Sequence, residues 1–258
     1  IPANAAMRQQ HRRSAAPARC RGCCSMDNNE KYSRQTLLAE IGKEGQETMG
    51  KKKVAIVGVG ALGTVAAELL VRAGIGHLTL IDRDIIEESN LQRQTLYEEK
   101  DVGRSKAIVA KEKLMKINSA SEIEAHAIHM NADYVHLLRA DLVLDCTDNI
   151  RTRLLINDFC RKEKIWWIYA AAIKTSGYVM PILPDGPCLR CFLREASMET
   201  CDTVGVLNTI TASVASLQVT LALKLLLERE VEPVLYHYDI WHPALRELRV
   251  RKNADCPT

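Results

Sequence analysis

Residues 54–63 read VAIVGVGALG, four apolar residues followed by a turn carrying Gly58, Gly60 and Gly63. An uninterrupted apolar run is the mark of a strand covered on both faces of its sheet. Glycines at this spacing let the backbone approach phosphates and aim the N-terminus of the following helix, with its positive dipole end, at them. That helix runs to Arg72, and a second apolar run at 77–81 (HLTLI) closes a βαβ unit. Asp82 ends the second run, 22 residues after Gly60, the spacing expected of a ribose-hydroxyl acceptor. These residues alone serve a dinucleotide and ATP equally, and a glycine turn that merely packs helix on strand is the bland alternative.

The alternation continues outward from this unit. A helix is expected over 104–116, a strand over 123–128, a helix over 133–138, a strand over 142–144, a helix over 151–162 and a strand over 166–170. Strand after helix after strand implies a right-handed, doubly wound parallel sheet. Beyond Ser176 the short runs 178–183, 235–240 and 245–250 stand in hairpin-like context, separated by a loop at 184–205 and an apolar helix at 204–227. On the N-terminal side, 32–49 reads as one amphipathic helix with Leu37, Leu38 and Ile41 on one face and Gly50 as its stop. The expected fold is α/β and Rossmann-like: a mainly parallel sheet with helices on both faces and an antiparallel C-terminal extension.

The 258 residues suit one such domain, taken here as 26–258. Residues 1–25 carry five arginines and no acid, so the net charge of +3 becomes −2 once they are set aside. A nearly neutral body offers no electrostatic case for nucleic-acid binding. The arginine-rich stretch lacks an apolar h-region and is read as an organelle-targeting segment, a disordered tail, or translated upstream sequence with Met26 as the natural start. The apolar helix is interrupted by Asn208, Gln218 and Lys224 and is expected to be buried in protein, not membrane. Nine cysteines without a secretory signal point to thiols used for metal binding or chemistry in a reducing, cytoplasmic compartment.

The residues after Asp82 separate the ligands. Arg93 and Lys106 follow within one loop and the start of the next helix. A nicotinamide cofactor needs little cationic help, whereas a triphosphate losing pyrophosphate benefits from fixed cations where charge builds in the transition state. LVLDCTDN then brings Asp145 and Asp148 to the C-terminal end of a strand, where open α/β sheets bind their ligands, and a carboxylate beside a triphosphate is a natural magnesium (Mg2+) ligand. Taken singly, Arg93 and Lys106 are ordinary solvated charges and Asp148 an N-cap; the set is what speaks for ATP.

Together with YSRQ, GVGALG, DRD, SNLQRQ, GRSKA, DCTDN, CLRC, TCDTVGVL and a closing CP, the chain from Tyr32 onward resembles the ThiF/MoeB/HesA family, relatives of the ubiquitin-activating enzymes. The resemblance implies a homodimer that adenylylates the terminal glycine of a ubiquitin-like sulfur-carrier protein, ThiS- or MoaD-like, in thiamine, molybdenum-cofactor or related sulfur metabolism. By motif position Asp82 would hold the ribose, Asn90, Arg93 and Lys106 the phosphates, and Asp148 the magnesium ion. Arg34 would reach the partner subunit's site. The wider nucleotide contacts implied are Gly58, Gly60, Ala61, Gly63, Asp84, Ser89, Leu91, Gln92 and Asn149. No rhodanese domain falls within these residues, so a separate cysteine desulfurase or sulfurtransferase would supply sulfur. Relatives usually have a glycine where this chain has Ala170, whose methyl is expected to narrow the carrier-tail channel.

Cys188 and Cys191 have the two-residue gap with which thiolates grip one tetrahedral zinc (Zn2+), and Cys256 supplies a third ligand. In the family a second CxxC closes the site; here a cysteine immediately past Thr258 would complete it. Cys201 occupies the position where relatives carry a cysteine able to link covalently to the carrier or a sulfur donor. A thiolate near a helix N-terminus would suit that chemistry. Cys146 and Cys160 are expected in the core, and His126 and His129 as structural residues of one strand. Two other functions fit part of the pattern. An NAD-dependent oxidoreductase explains the glycines and Asp82 but leaves Arg93, Lys106 and Asp148 idle, and an inactive nucleotide-binding scaffold leaves the charged set unexplained.

Overall fold

The computed structural model describes residues 28–193 and 204–256, so the readings that fall on 1–25, Cys201 and Thr258 lie outside the described residues. Its centre is an eight-stranded sheet of order β3-β2-β1-β4-β5-β6-β7-β8. The strands are β1 (Lys53–Val57), β2 (His77–Ile81), β3 (Glu122–His126), β4 (Leu142–Asp145), β5 (Trp166–Ile173), β6 (Ser176–Ile182), β7 (Val234–Asp239) and β8 (Ala244–Arg249). β3, β2, β1, β4 and β5 pair in parallel, and β6, β7 and β8 add on antiparallel. The expected parallel sheet with an antiparallel extension is what forms.

Helices α1 (Asn28–Lys31), α2 (Ser33–Thr36) and α3 (Gly42–Met49) precede the sheet. α4 (Ala61–Ala73) joins β1 to β2, α5 (Lys106–Ile117) precedes β3, α6 (Ile150–Glu163) joins β4 to β5, and α7 (Leu189–Phe192) and α8 (Asn208–Leu226) lie between β6 and β7. Strand periodicity divides the core into two layers. Ile56, Leu78, Leu80, Ile168 and Ala170 share one layer with α4, α5 and α8; Ala55, Val57, Val143, Trp167 and Tyr169 share the other with α6 and α7. α8 is long and apolar enough to cross a membrane, yet it packs on α4, β5 and β6 with Val214, Ala222 and Leu226 fully buried. Each large apolar side chain so covered contributes about 1.5–3 kcal/mol relative to exposure.

The single helix expected at 32–49 is broken, because Gly42 enters the left-handed region at φ +63° and the chain doubles back into two short helices. The physical reason lies at the far end of α4. Its last carbonyls lack helical partners, and Gln35 from α2 and Gln46 from α3 both donate to the Ala73 carbonyl at 2.9 Å. Leu37 and Leu38 are 76% and 52% exposed, while Ile41 packs against the core. The helix expected at 133–138 forms as a 3-10 helix, Ala132–Leu138, and His129 lies past the end of β3 instead of within it.

Candidate nucleotide site

Where β1 turns into α4, Gly58 sits at φ +88° and a Cβ there would lie 2.6 Å from the Cys146 carbonyl oxygen of the neighbouring β4 end. Gly60 precedes the helix and places no side chain over the first turn of α4, whose N-terminus has no side-chain cap. The backbone N–H groups of that turn therefore face outward, the arrangement that receives phosphate oxygens. β1 lies between β2 and β4, with chain connections leaving in opposite directions, so this turn stands at the switch point of the sheet.

Asp82 anchors the turn. Its carboxylate accepts from Val59 N at 2.6 Å and from Asp84 N at 2.8 Å. Burial pushes its carboxyl above the usual range, while those two backbone bonds and the Lys106 charge pull the other way. Lys106, the first residue of α5, is buried and its Nζ lies 3.1 Å from Asp84 Oδ2. Tyr97 ties the two parts together: its hydroxyl donates to the Val59 carbonyl at 2.7 Å and lies 3.1 Å from the Lys106 carbonyl. Arg93 donates to the Ser89 carbonyl at 2.9 Å, and Asn90 is buried with its Oδ1 accepting from Glu87 N. Leu91 is half-buried, while Ser89 and Gln92 are exposed on the same short segment.

The two aspartates of DCTDN separate completely. Asp145 is fully buried against Arg153, with Oδ2 3.3 Å from Nε, and accepts from the Thr147 backbone and hydroxyl. Asp148 is exposed just beyond the strand and makes no hydrogen bond or ion pair among the described residues. Asn149, not Asp148, is the N-cap of α6, its Oδ1 accepting from Thr152 N at 2.9 Å. That leaves the Asp148 carboxylate available to a cation in a way that a capping residue's would not be.

Asp148 borders a cavity of about 500 Å³ whose wall also includes Arg83, His129, Asn131, Arg151 and Thr152. His129 and Arg83 were not singled out for the site from the sequence. Their only signal was position directly after β3 and β2, on the ligand-binding edge. A smaller cavity of about 190 Å³ lies around Lys53, His77 and Glu122 at the opposite, N-terminal ends of the strands and touches none of the motif residues. Arg34 stands far from the glycine turn. α2 is fixed to Ala73 through Gln35, so Arg34 lies near the end of α4 opposite the turn, and a 13-residue helix is about 20 Å long.

The Ala170 side chain is fully buried in the core layer shared with Ile168 and Val179 beneath α8. Cys146 and Cys160 are core residues as expected, with burial raising both thiols well above the ordinary range. Cys188, Cys191 and Cys256 converge, with Cys188 Sγ 3.9 Å from Cys191 Sγ and 3.5 Å from Cys256 Sγ. Thiolates bound to zinc at about 2.3 Å in a tetrahedron lie about 3.8 Å apart, so the three sulfurs fit one such ion.

A switch-point crevice with an uncapped helix, a buried lysine and an exposed carboxylate defines a nucleotide-binding enzyme of Rossmann-like fold. The chain belongs to the ThiF family, whose model matches residues 32–258. It is 41% identical over 237 residues to the sulfur carrier protein ThiS adenylyltransferase of Bacillus subtilis, covering 88% of this chain and 70% of that protein. It is 36% identical over 236 residues to the SAMP-activating enzyme E1 of Haloferax volcanii, covering 88% and 87%. Among solved structures, E. coli MccB in complex with MccA-N7isoASN matches with a TM-score of 0.79 at 23% identity, over 89% of this chain and 75% of that one, a likeness of fold.

Proposed function

We propose that this chain, with residues 26–258 as one adenylylating domain, uses ATP to adenylylate the C-terminal glycine of a ubiquitin-like sulfur carrier. The carrying observation is the convergence, on one edge of the sheet, of an uncapped helix N-terminus, Lys106 beside the Asp82 and Asp84 carboxylates, and Asp148 on the cavity wall. In this reading Asp82 holds the ribose, the α4 turn with Asn90, Arg93 and Lys106 holds the phosphates, and Asp148 holds magnesium. Magnesium there neutralises charge on the phosphate oxygens.

A C-terminal carboxylate has a pKa near 3.5 and is ionised at pH 7, so no general base is required. Its oxygen forms a bond to the α-phosphorus as the bond from that phosphorus to the bridging oxygen breaks, and pyrophosphate departs with the electron pair. The protein's contribution is alignment and fixed positive charge at the leaving group. Asp148→Ala and Arg93→Ala should each lower carrier-dependent ATP–pyrophosphate exchange about 10²- to 10³-fold, the scale of losing one preorganised electrostatic group. Their urea unfolding curves should match the parent. Full exchange in both variants refutes the assignment.

The three converging cysteines are assigned to zinc, and Cys188→Ser should lose the bound metal on elemental analysis. Cys201 is assigned the covalent link to the carrier or sulfur donor. Cys201→Ala should retain exchange and fail to sulfurate the carrier; normal sulfuration would remove that role alone. The reading includes a homodimer in which Arg34 serves the partner's site, supported by its position at the far end of α4.

A further inference from the structure

One stretch of α6 is tied to the approach to the three cysteines. Asn157, Asp158 and Arg161 lie within about one turn of that helix, and each reaches the segment between Leu183 and Arg190. Arg161 Nη1 donates to the Leu183 and Gly186 carbonyls at 3.1 Å and also to the Pro184 carbonyl between them. Asn157 is wholly buried and its Oδ1 accepts from Leu189 N at 2.9 Å. Asp158 takes Arg190 in a two-point ion pair, with Nε 2.8 Å from Oδ1 and Nη2 2.6 Å from Oδ2. Leu189 and Arg190 fill the gap between Cys188 and Cys191. The helix therefore holds the cysteine loop both on its approach and inside the gap itself.

This hold matters to a metal ion. Cys256 follows Cys188 by 68 residues, so the cluster joins two distant segments. Thiolates less than 4 Å apart repel one another. A mobile loop would let them separate and would have to be ordered again when the ion binds. Here both segments already converge on one sulfur, with Cys188 N 3.4 Å and Asn253 N 3.5 Å from Cys191 Sγ. Lys252 Nζ lies 3.4 Å from the Asp185 carbonyl and joins the Cys256 segment to the loop that Arg161 holds. α6 is itself fixed to the sheet, because Arg153 pairs with Asp145 and donates to the Ala170 carbonyl at 3.2 Å.

We propose that Asn157, Asp158 and Arg161 make α6 the rigid mount of the metal site, so that the ion meets sulfurs already held at ligating separation. This rests on the zinc assignment above. None of the three is a ligand. They are positioning residues that act through the backbone of the cysteine loop and through Arg190.

The test is zinc transfer from the loaded protein to an excess of a chromogenic chelator, timed by absorbance. Arg161→Leu and Asp158→Asn should each weaken zinc binding about 10- to 100-fold, seen as faster transfer, the usual effect of removing a group that orients metal ligands. Arg190→Leu should match Asp158→Asn, and the double variant should be no worse than either, since the same pair is lost in all three. Asp158 and Arg190 are both partly exposed, so their variants keep the fold and read the hold directly. Glu163→Gln is the control: it breaks the 3.1 Å ion pair with Arg139 on the same helix, which involves no residue of the loop, and should leave transfer unchanged. Parental transfer rates in Arg161→Leu and Asp158→Asn overturn the mount, as does equally fast transfer from Glu163→Gln, which would mark a general loosening of α6. A parent chain without zinc on elemental analysis would instead overturn the zinc assignment itself.

Discussion

At Gly63 two residue-scale effects oppose each other. Alanine is favoured over glycine inside a helix by about 1 kcal/mol. A Cβ at Gly63, however, would lie 2.0 Å from the Gly58 carbonyl oxygen, a backbone atom of the glycine turn with little freedom to yield. The clash should win: Gly63→Ala should destabilise by a net of about 2 kcal/mol or more, read as a lower urea midpoint with an unchanged slope. The same scale explains how much of the site was legible. Glycine spacing, Asp82 and the cations are written in motif positions. The division of labour between Asp145 and Asp148 is not, because it depends on Arg153, which arrives from one turn into α6 to claim Asp145. A buried carboxylate stripped of its cation is costly, so Arg153→Leu should destabilise by about 3–5 kcal/mol in the same experiment.

Elements were legible where burial imposes a period and illegible where polar ties decide. The inner parallel strands β1, β2, β4 and β5 announced themselves as apolar runs because both faces of the sheet are covered there, while edge strand β3 alternates exposed Glu122 and Glu124 with buried Ile123. The break at Gly42 did not, since it answers to the Ala73 carbonyl some thirty residues away. The loop that delivers Lys106 is held in a similar manner. Asp101 is almost wholly buried and lies 2.5 Å from Lys113 Nζ on α5 and 3.3 Å from Arg104. Burial alone would raise its carboxyl, but the Lys113 hydrogen bond, the Glu98 backbone N–H and the two cations hold it below the usual value. A depressed folded-state pKa stabilises above the unfolded value and is lost as pH falls through the folded one. The parent should therefore lose stability below about pH 4, the ordinary carboxylate range. Urea titrations between pH 6 and pH 3 should show its advantage over Asp101→Asn shrinking with acidification. A constant gap would mean that Asp101 is not the group titrating.

For the whole molecule the decisive fact is the length of α4. Its N-terminus meets the proposed phosphates and its C-terminal carbonyl is gripped by Gln35, one residue from Arg34, so about 20 Å of helix separates Arg34 from the turn it would serve. An extended arginine side chain covers only about a third of that span, so if Arg34 contacts phosphate it does so in a second copy. The exposed Leu37 and Leu38 beside it are apolar surface that such a second copy would cover. In a two-fold dimer each site then combines Arg34 from one copy with Asp148 from the other. Arg34→Ala and Asp148→Ala proteins should each be inactive alone, and refolding them together in equal amounts should restore about a quarter of parental exchange, since half the dimers are mixed and each mixed dimer holds one intact site. Mixtures that stay as inactive as their components would place both residues in the same site of one chain and remove the partner from the mechanism.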